Sequence, residues 1–150
     1  MTNRVANPLL RRLLRTPAGR TLGRRLAVLR YTGRRTGRPH ELVCGYVRDG
    51  TTVWVLVAWP ERKVWWRNLR TPADVELWLA GRHARARAVA LKGDERPEEC
   101  AAGLSVYLAA VPSARRSFGL PAGADETAIA EAARRAVLVR ADIVSTQPTA

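Results

Sequence analysis

Residues 26–58 read LAVLRYTGRRTGRPHELVCGYVRDGTTVWVLVA, and two turn signals within that stretch decide the fold. Gly33-Arg34-Arg35-Thr36-Gly37-Arg38-Pro39 separates two apolar runs, and glycine at either end of the arginines allows a tight reversal. Asp49-Gly50 is a strong tight-hairpin signal. Three strands are therefore expected, from Leu26 to Tyr31, from His40 to Arg48 and from Thr51 to Ala58. The last is rich in β-branched residues and Trp and ends at Pro60.

Outward from this stretch, Glu61 to Leu69 is expected as a short helix, with Thr71-Pro72 breaking it. Val75, Leu77 and Leu79 alternate with Glu76 and Trp78 as a strand does, and Gly81 turns the chain into Ala84 to Leu91. Pro97 opens a helix that runs through Ala110 and stops at Pro112. One further turn is expected over Ser113 to Phe118 and a helix from Asp125 to about Arg135, and Ala136 to Val144 alternates like a closing strand. Five or six strands joined by hairpins, with helices inserted, give an α+β class and a small, mostly antiparallel barrel. The expected organisation is an amphipathic helical segment over 1–19, a barrel domain over 20–145 and a frayed tail over 146–150.

The arginine turn carries three guanidinium groups and a hydroxyl within six residues. Glycine allows close backbone approach, and arginine supplies forked, permanently charged donors, so the turn suits a phosphate or another polyanion. Trp65-Trp66-Arg67-Asn68-Leu69 places two large aromatics beside a polar pair. On a helix the two indoles point about 100° apart, so one is expected in the core and the other against a ligand or partner, with Asn68 on the side of Trp65. The two segments together suggest a site for a planar, phosphate-bearing ligand.

The remaining residues exclude more than they assign. There is no G-x-G-x-x-G, P-loop, nucleophile elbow or paired-carboxylate spacing, and His40 and His83 are read as structural or surface histidines without the set of acidic or cysteine partners that a metal site or catalytic triad needs. Hard chemistry would then come from a bound cofactor. Cys44 and Cys100 lack metal-like spacing and read as shielded thiols of a reducing cytosol. The net charge is +13, with 24 Arg and two Lys against 13 acidic residues. That balance attracts anions without choosing among them and equally reflects a GC-rich coding bias. No recognition-helix or zinc-finger pattern points to specific nucleic-acid binding. With no signal peptide and no 18-residue apolar run, a cytoplasmic protein is expected. Pro8 to Leu14, apolar at 9, 10, 13 and 14 with arginines between, suits weak peripheral contact with an acidic membrane.

Gly33 to Pro39 after a strand, then Tyr46-Val47-Arg48-Asp49-Gly50, Val55-Leu56-Val57-Ala58 and the Trp65–Leu69 run resemble the deazaflavin-dependent nitroreductase family over roughly residues 20–92. The resemblance implies a split β-barrel akin to FMN-binding proteins, coenzyme F420 as cofactor with FMN as the alternative, and pairing as a homodimer. It also implies hydride transfer to a small hydrophobic acceptor such as a quinone or nitro compound. Carried onto this chain, it places Arg34, Arg35, Thr36, Gly37 and Arg38 against the anionic tail of the cofactor. Ala58, Trp59 and Lys63 would flank the phosphate or ring, with Trp66, Asn68 and Leu69 at the far side of the pocket; it assigns no catalytic residue. The chain departs from the family pattern after Ala58, where Trp59-Pro60-Glu61-Arg62-Lys63 is shorter and bulkier and lacks serine and glycine. That departure carries the second reading, a barrel without redox chemistry that holds an anionic or lipidic ligand such as a fatty acid or another flavin.

Overall fold

The computed structural model of the chain describes Arg12, Arg15 and residues 25–147. Seven strands form one antiparallel sheet: β1 (Leu26–Thr32), β2 (Pro39–Gly45), β3 (Val47–Asp49), β4 (Thr52–Leu56), β5 (Ala73–Leu79), β6 (Arg82–Lys92) and β7 (Val137–Gln147). Their spatial order is β2-β1-β5-β6-β7-β4-β3. The two edge strands, β2 and β3, are neighbours in sequence with only Tyr46 between them. The sheet therefore curls until its edges meet at that residue, which makes it a split barrel. At the corner the Tyr46 N–H donates to the Arg25 carbonyl at 3.2 Å. The single strand expected over His40 to Arg48 is for this reason two strands on opposite edges.

Alternation along the strands divides the side chains between two cores. The barrel interior takes Leu29, Leu77, Val53, Val55 and Val139, together with Trp66 and Leu69. On β6 the inward positions are all small (Ala84, Ala86, Ala88 and Ala90), and the bulk comes from Tyr31 and Trp66 instead. The second core lies outside the barrel, under α1 (Pro97–Ala110) and α2 (Glu126–Ala133). There Trp54, Leu91 and Leu138 from the sheet pack with Cys100, Leu104 and Leu108 of α1. Gly103 makes this contact close: a Cβ on it would lie 2.4 Å from the Trp54 ring. Pro97 opens α1 with Glu98 and Glu99 in its first turn, where the helix dipole favours negative charge. Asp125 caps α2 by accepting the Ala128 N–H at 2.9 Å.

The structure departs from the sequence reading in two further places. Glu61 to Leu69 is no continuous helix: a turn at Trp59–Arg62 precedes a 3-10 helix at Trp65–Leu69. The further turn expected over Ser113 to Phe118 is present as a 3-10 helix at Pro112–Phe118. β7 continues past residue 145 because Ser145, Thr146 and Gln147 pair with Arg85, Ala84 and His83. The amphipathic stretch Pro8 to Leu14 lies outside the described residues apart from Arg12, which is helical and exposed, and so does the tail beyond Gln147. Among the described residues no helix is long and apolar enough to cross a membrane.

The β5–β6 hairpin turns through Ala80 and Gly81, both left-handed at φ 49° and 78°. This is the geometry that Asn-Gly satisfies best, and alanine there is strained. Ala80→Asn is expected to stabilise the protein by about 1 kcal/mol, a rise of about 2–4 °C in melting temperature. An unchanged or lower melting temperature would mean that the strain is relieved in solution.

Candidate functional site

The β1–β2 turn is built from its own backbone. The Gly33 N–H donates to the Arg38 carbonyl at 2.8 Å, the Gly37 N–H donates to the Gly33 carbonyl at 2.8 Å, and the Arg38 N–H donates to Thr36 Oγ1 at 3.3 Å. Gly37 sits at φ 68°, where a side chain would be strained. Gly33 is buried, and a Cβ on it would lie 2.9 Å from Thr36 Oγ1 and 3.1 Å from His40 Nε2. Four of the turn's N–H groups are thus engaged, since Arg34 also donates, to Asn68 Oδ1 at 3.0 Å. The capacity to hold an anion therefore lies mainly in the guanidinium groups of Arg34, Arg35 and Arg38. All three are exposed, and among the described residues none forms an ion pair.

Asn68 is the joint between the two segments that the sequence singled out. Its Oδ1 holds Arg34 while its Nδ2 donates to the Trp65 carbonyl at 2.9 Å, so one side chain ties the arginine turn to the 3-10 helix. A local cap and a tertiary contact are both present. Trp66 is buried in the barrel, and Trp65 is half-buried, packed against the same core and tilted against Tyr31 with centroids 6.3 Å apart. Tyr31 also stacks with His40 at 5.4 Å. Inward-facing His40, Leu42 and Cys44 of β2 leave a half-open wall beside these rings.

The loop after β4 spans residues 57–64 and leads into the 3-10 helix. Ala58, Trp59 and Lys63 are exposed, and the loop is held by Trp66 Nε1 donating to the Pro60 carbonyl at 3.0 Å and Arg62 N–H donating to the Trp59 carbonyl at 3.0 Å. Lys63 lies close enough to Cys44 to oppose the rise of its thiol. The site residues named from the sequence thus fall into two sets. Arg34, Arg35, Thr36, Gly37, Arg38, Ala58, Trp59 and Lys63 lie on the surface, and Asn68 ties the turn to the 3-10 helix. Trp66 and Leu69 are core residues, 4% and 1% exposed. Tyr31 and Leu42 carried no signal in the sequence reading, and His40 was read there as a structural or surface histidine; the register that pairs Tyr31 with His40 and Leu29 with Leu42 brings them to this wall.

His83 has an acidic partner that its sequence neighbours did not reveal: Glu76 Oε1 lies 2.9 Å from its Nε2 across the β5–β6 hairpin. It belongs to a cluster outside the barrel in which Glu41 and Glu76 bind Arg30, and Arg15 reaches Glu41 and covers the Trp78 ring at 4.3 Å. Burial alone would raise the Glu41 carboxyl, but hydrogen bonds from Arg30 and Arg15 outweigh it and hold the group below its usual range.

Neither cysteine is poised to react. Burial pushes Cys44 up to about 12, against the pull of Lys63, and Cys100 up to about 11, with Glu99 and Asp94 adding to the rise. A thiol that stays protonated when folded but ionises near 9.0 when unfolded favours unfolding as pH rises. Stability is therefore expected to be unaffected by the thiols below about pH 8 and to fall between about pH 9 and 11. The slope is about 1.4 kcal/mol per pH unit for each thiol. Urea unfolding of the wild type and of a Cys44→Ala/Cys100→Ala variant checks this: equal slopes in the two proteins would remove the thiols as the cause.

A family model described as F420H(2)-dependent quinone reductase matches residues 3–109. No curated protein matches the chain. Among solved structures, a protein of unknown function from Agrobacterium tumefaciens str. C58 superposes with a TM-score of 0.55 at 20% identity, over 98% of this chain and 59% of that one. This chain therefore spans a little under two thirds of that relative's length. General Stress Protein 26 from Bacillus anthracis str. Sterne gives 0.50 at 11% identity, over 89% of this chain and 91% of that one. A structure described as a domain-swapped dimer gives 0.55 at 13% identity, over 79% and 81%. At these identities the likeness is one of fold.

Proposed function

The chain belongs to the F420H(2)-dependent quinone reductase family, and from that membership we propose that it is an F420-dependent oxidoreductase acting on a small hydrophobic acceptor, a quinone or nitro compound. One observation carries the reading at the level of residues: three guanidinium groups that form no ion pair among the described residues stand on a prebuilt turn, and Asn68 holds that turn against the Trp65 end of an aromatic wall. The residues present suit a planar cofactor with an acidic tail. Arg34, Arg35 and Arg38 would hold the tail by charge, while Thr36 and Gly37 keep the turn in shape. Ala58, Trp59 and Lys63 would border the phosphate or ring, and Trp66 and Leu69 would stiffen that border from within the barrel. Reduced F420, when bound, supplies a hydride and a proton, which together convert a quinone to its hydroquinone. The chain's part is to orient the two partners and exclude water.

The test is a titration with F420 and, separately, with FMN, followed by calorimetry at moderate salt. Saturable binding of F420 alone supports the reductase and justifies a screen of quinones and nitro compounds. Saturable binding of FMN alone keeps the barrel and changes the cofactor. Silence from both sinks the redox reading. The second reading, a non-catalytic barrel for a fatty acid or similar anion, would then stand on the bulky Trp59 loop, and fatty-acid titration would decide it. Pairing as a homodimer belongs to the same proposal, and sedimentation at equilibrium tests it.

A further inference from the structure

Two clefts adjoin at the Trp59–Lys63 loop, and no residue of the arginine turn lines either. The larger, about 350 Å³, is lined by Arg67, Lys92, Arg134 and Arg135, with Glu61 and Asp94 the acids in its wall. The smaller, about 200 Å³, is walled by Val57, Trp59 and Phe118. Both share Pro60, Glu61, Arg135 and Ala136, so they form one groove with an apolar end and a cationic end. Lys92 has Asp94 and Glu95 at 3.7 Å, and Arg134 has Glu131 at 4.0 Å. Arg67 and Arg135 form no ion pair among the described residues; Arg67 lies over the Trp66 ring, and Arg135 is 3.5 Å from the Phe118 carbonyl.

Trp59 stands at the apolar end in a conformation that its own chemistry disfavours. Its φ is 47°, which is rare for a bulky side chain, and it precedes a proline, which further narrows its choices. Its side chain is nevertheless 65% exposed beside the groove. A strained backbone that presents an aromatic face to water next to an apolar recess, with arginine beyond it that forms no ion pair among the described residues, is arranged for a ligand rather than for packing.

We propose that this groove is the acceptor site and that it selects a planar aromatic acceptor bearing a carboxylate, an assignment that rests on the reductase reading. The ring lies against Trp59 and Phe118, and the carboxylate is taken by Arg135 with Arg67 behind it. Trp59 is the residue that sets specificity for a flat ring, and Arg135 sets specificity for the charge.

Calorimetry with 2-naphthoate and its neutral counterpart 2-naphthamide tests this on the full chain, with F420 titrated in parallel. Naphthoate is expected to bind about tenfold tighter than naphthamide, as a charge-assisted contact allows. Arg135→Gln should erase that gap and leave the melting temperature and F420 affinity unchanged. Trp59→Ala should weaken both aromatics about tenfold, and Trp59→Phe should restore most of the loss. Absent naphthoate binding, equal binding of the two probes, or a gap that survives Arg135→Gln overturns the proposal. If F420 binds and naphthoate does not, the groove assignment alone fails. If naphthoate binds through Arg135 and F420 does not, the reductase reading fails and the groove is an aromatic-acid site.

Discussion

Replacing Arg34, Arg35 and Arg38 together by glutamine is expected to lower F420 affinity by about 100-fold while shifting the melting temperature by no more than about 2 °C. The three side chains are exposed and form no ion pairs among the described residues, so the fold does not depend on them. The turn is held by backbone groups, by Thr36 and by Asn68, none of which the substitutions remove. Each charge-assisted contact to the anionic tail contributes about 1 kcal/mol at an exposed site, and three together correspond to about two decades in the dissociation constant. The wild-type affinity should also fall with added salt, and the variant's should respond less. Titration at two salt concentrations, paired with a thermal melt, separates the outcomes. If affinity and melting temperature fall together, the arginines are structural; if neither changes, the cofactor lies elsewhere.

Gly93→Ala is expected to destabilise the fold by about 3 kcal/mol or more, a fall of about 10 °C in melting temperature. A Cβ at this position would lie 1.7 Å from the Ala133 carbonyl oxygen and 2.7 Å from its carbon. The obstruction is backbone at the end of α2, so no rotamer change relieves it. Gly93 cannot retreat either, because its N–H donates to the Ala136 carbonyl at 2.8 Å. Gly103→Ala makes a useful contrast. Its Cβ would meet the Trp54 ring at 2.4 Å, but a side chain can yield where a carbonyl cannot, and the expected cost is about 1–2 kcal/mol. Urea unfolding of the two variants side by side tests the ranking. A Gly93→Ala protein within 1 kcal/mol of wild type would show that α2 and the β6 end separate easily. Because Arg134 and Arg135 follow α2 directly, a shift of that helix should also disturb the groove that they line.

Most of the local structure was legible because it is written in short-range rules. The Asp49-Gly50 signal marks the β3–β4 hairpin, although the register pairs Asp49 with Thr52 and so puts Gly50 and Thr51 in the loop. Pro97 and Asp125 mark the two helix starts that the structure contains. Tyr46 was not legible as a corner, because only the meeting of two sheet edges bends the chain there. The Glu61–Leu69 helix was misread for a related reason. Proline at 60 and the bond from Trp66 Nε1 to its carbonyl fold the segment back on itself, and a helix propensity summed along the chain does not register such a contact.

The amino-acid sequence by itself determined the barrel class and marked the arginine turn and the Trp65–Leu69 run as separate elements. Turn chemistry and hydrophobic period act between residues a few positions apart. Only the tertiary structure decided which indole faces the interior, that Asn68 holds Arg34 from 34 residues away, and that Trp59 and Arg135 border one groove. These are contacts between segments that the curl of the sheet and the docking of α2 bring together. A pairing of that kind depends on closure of the whole barrel, and no short window of sequence contains it.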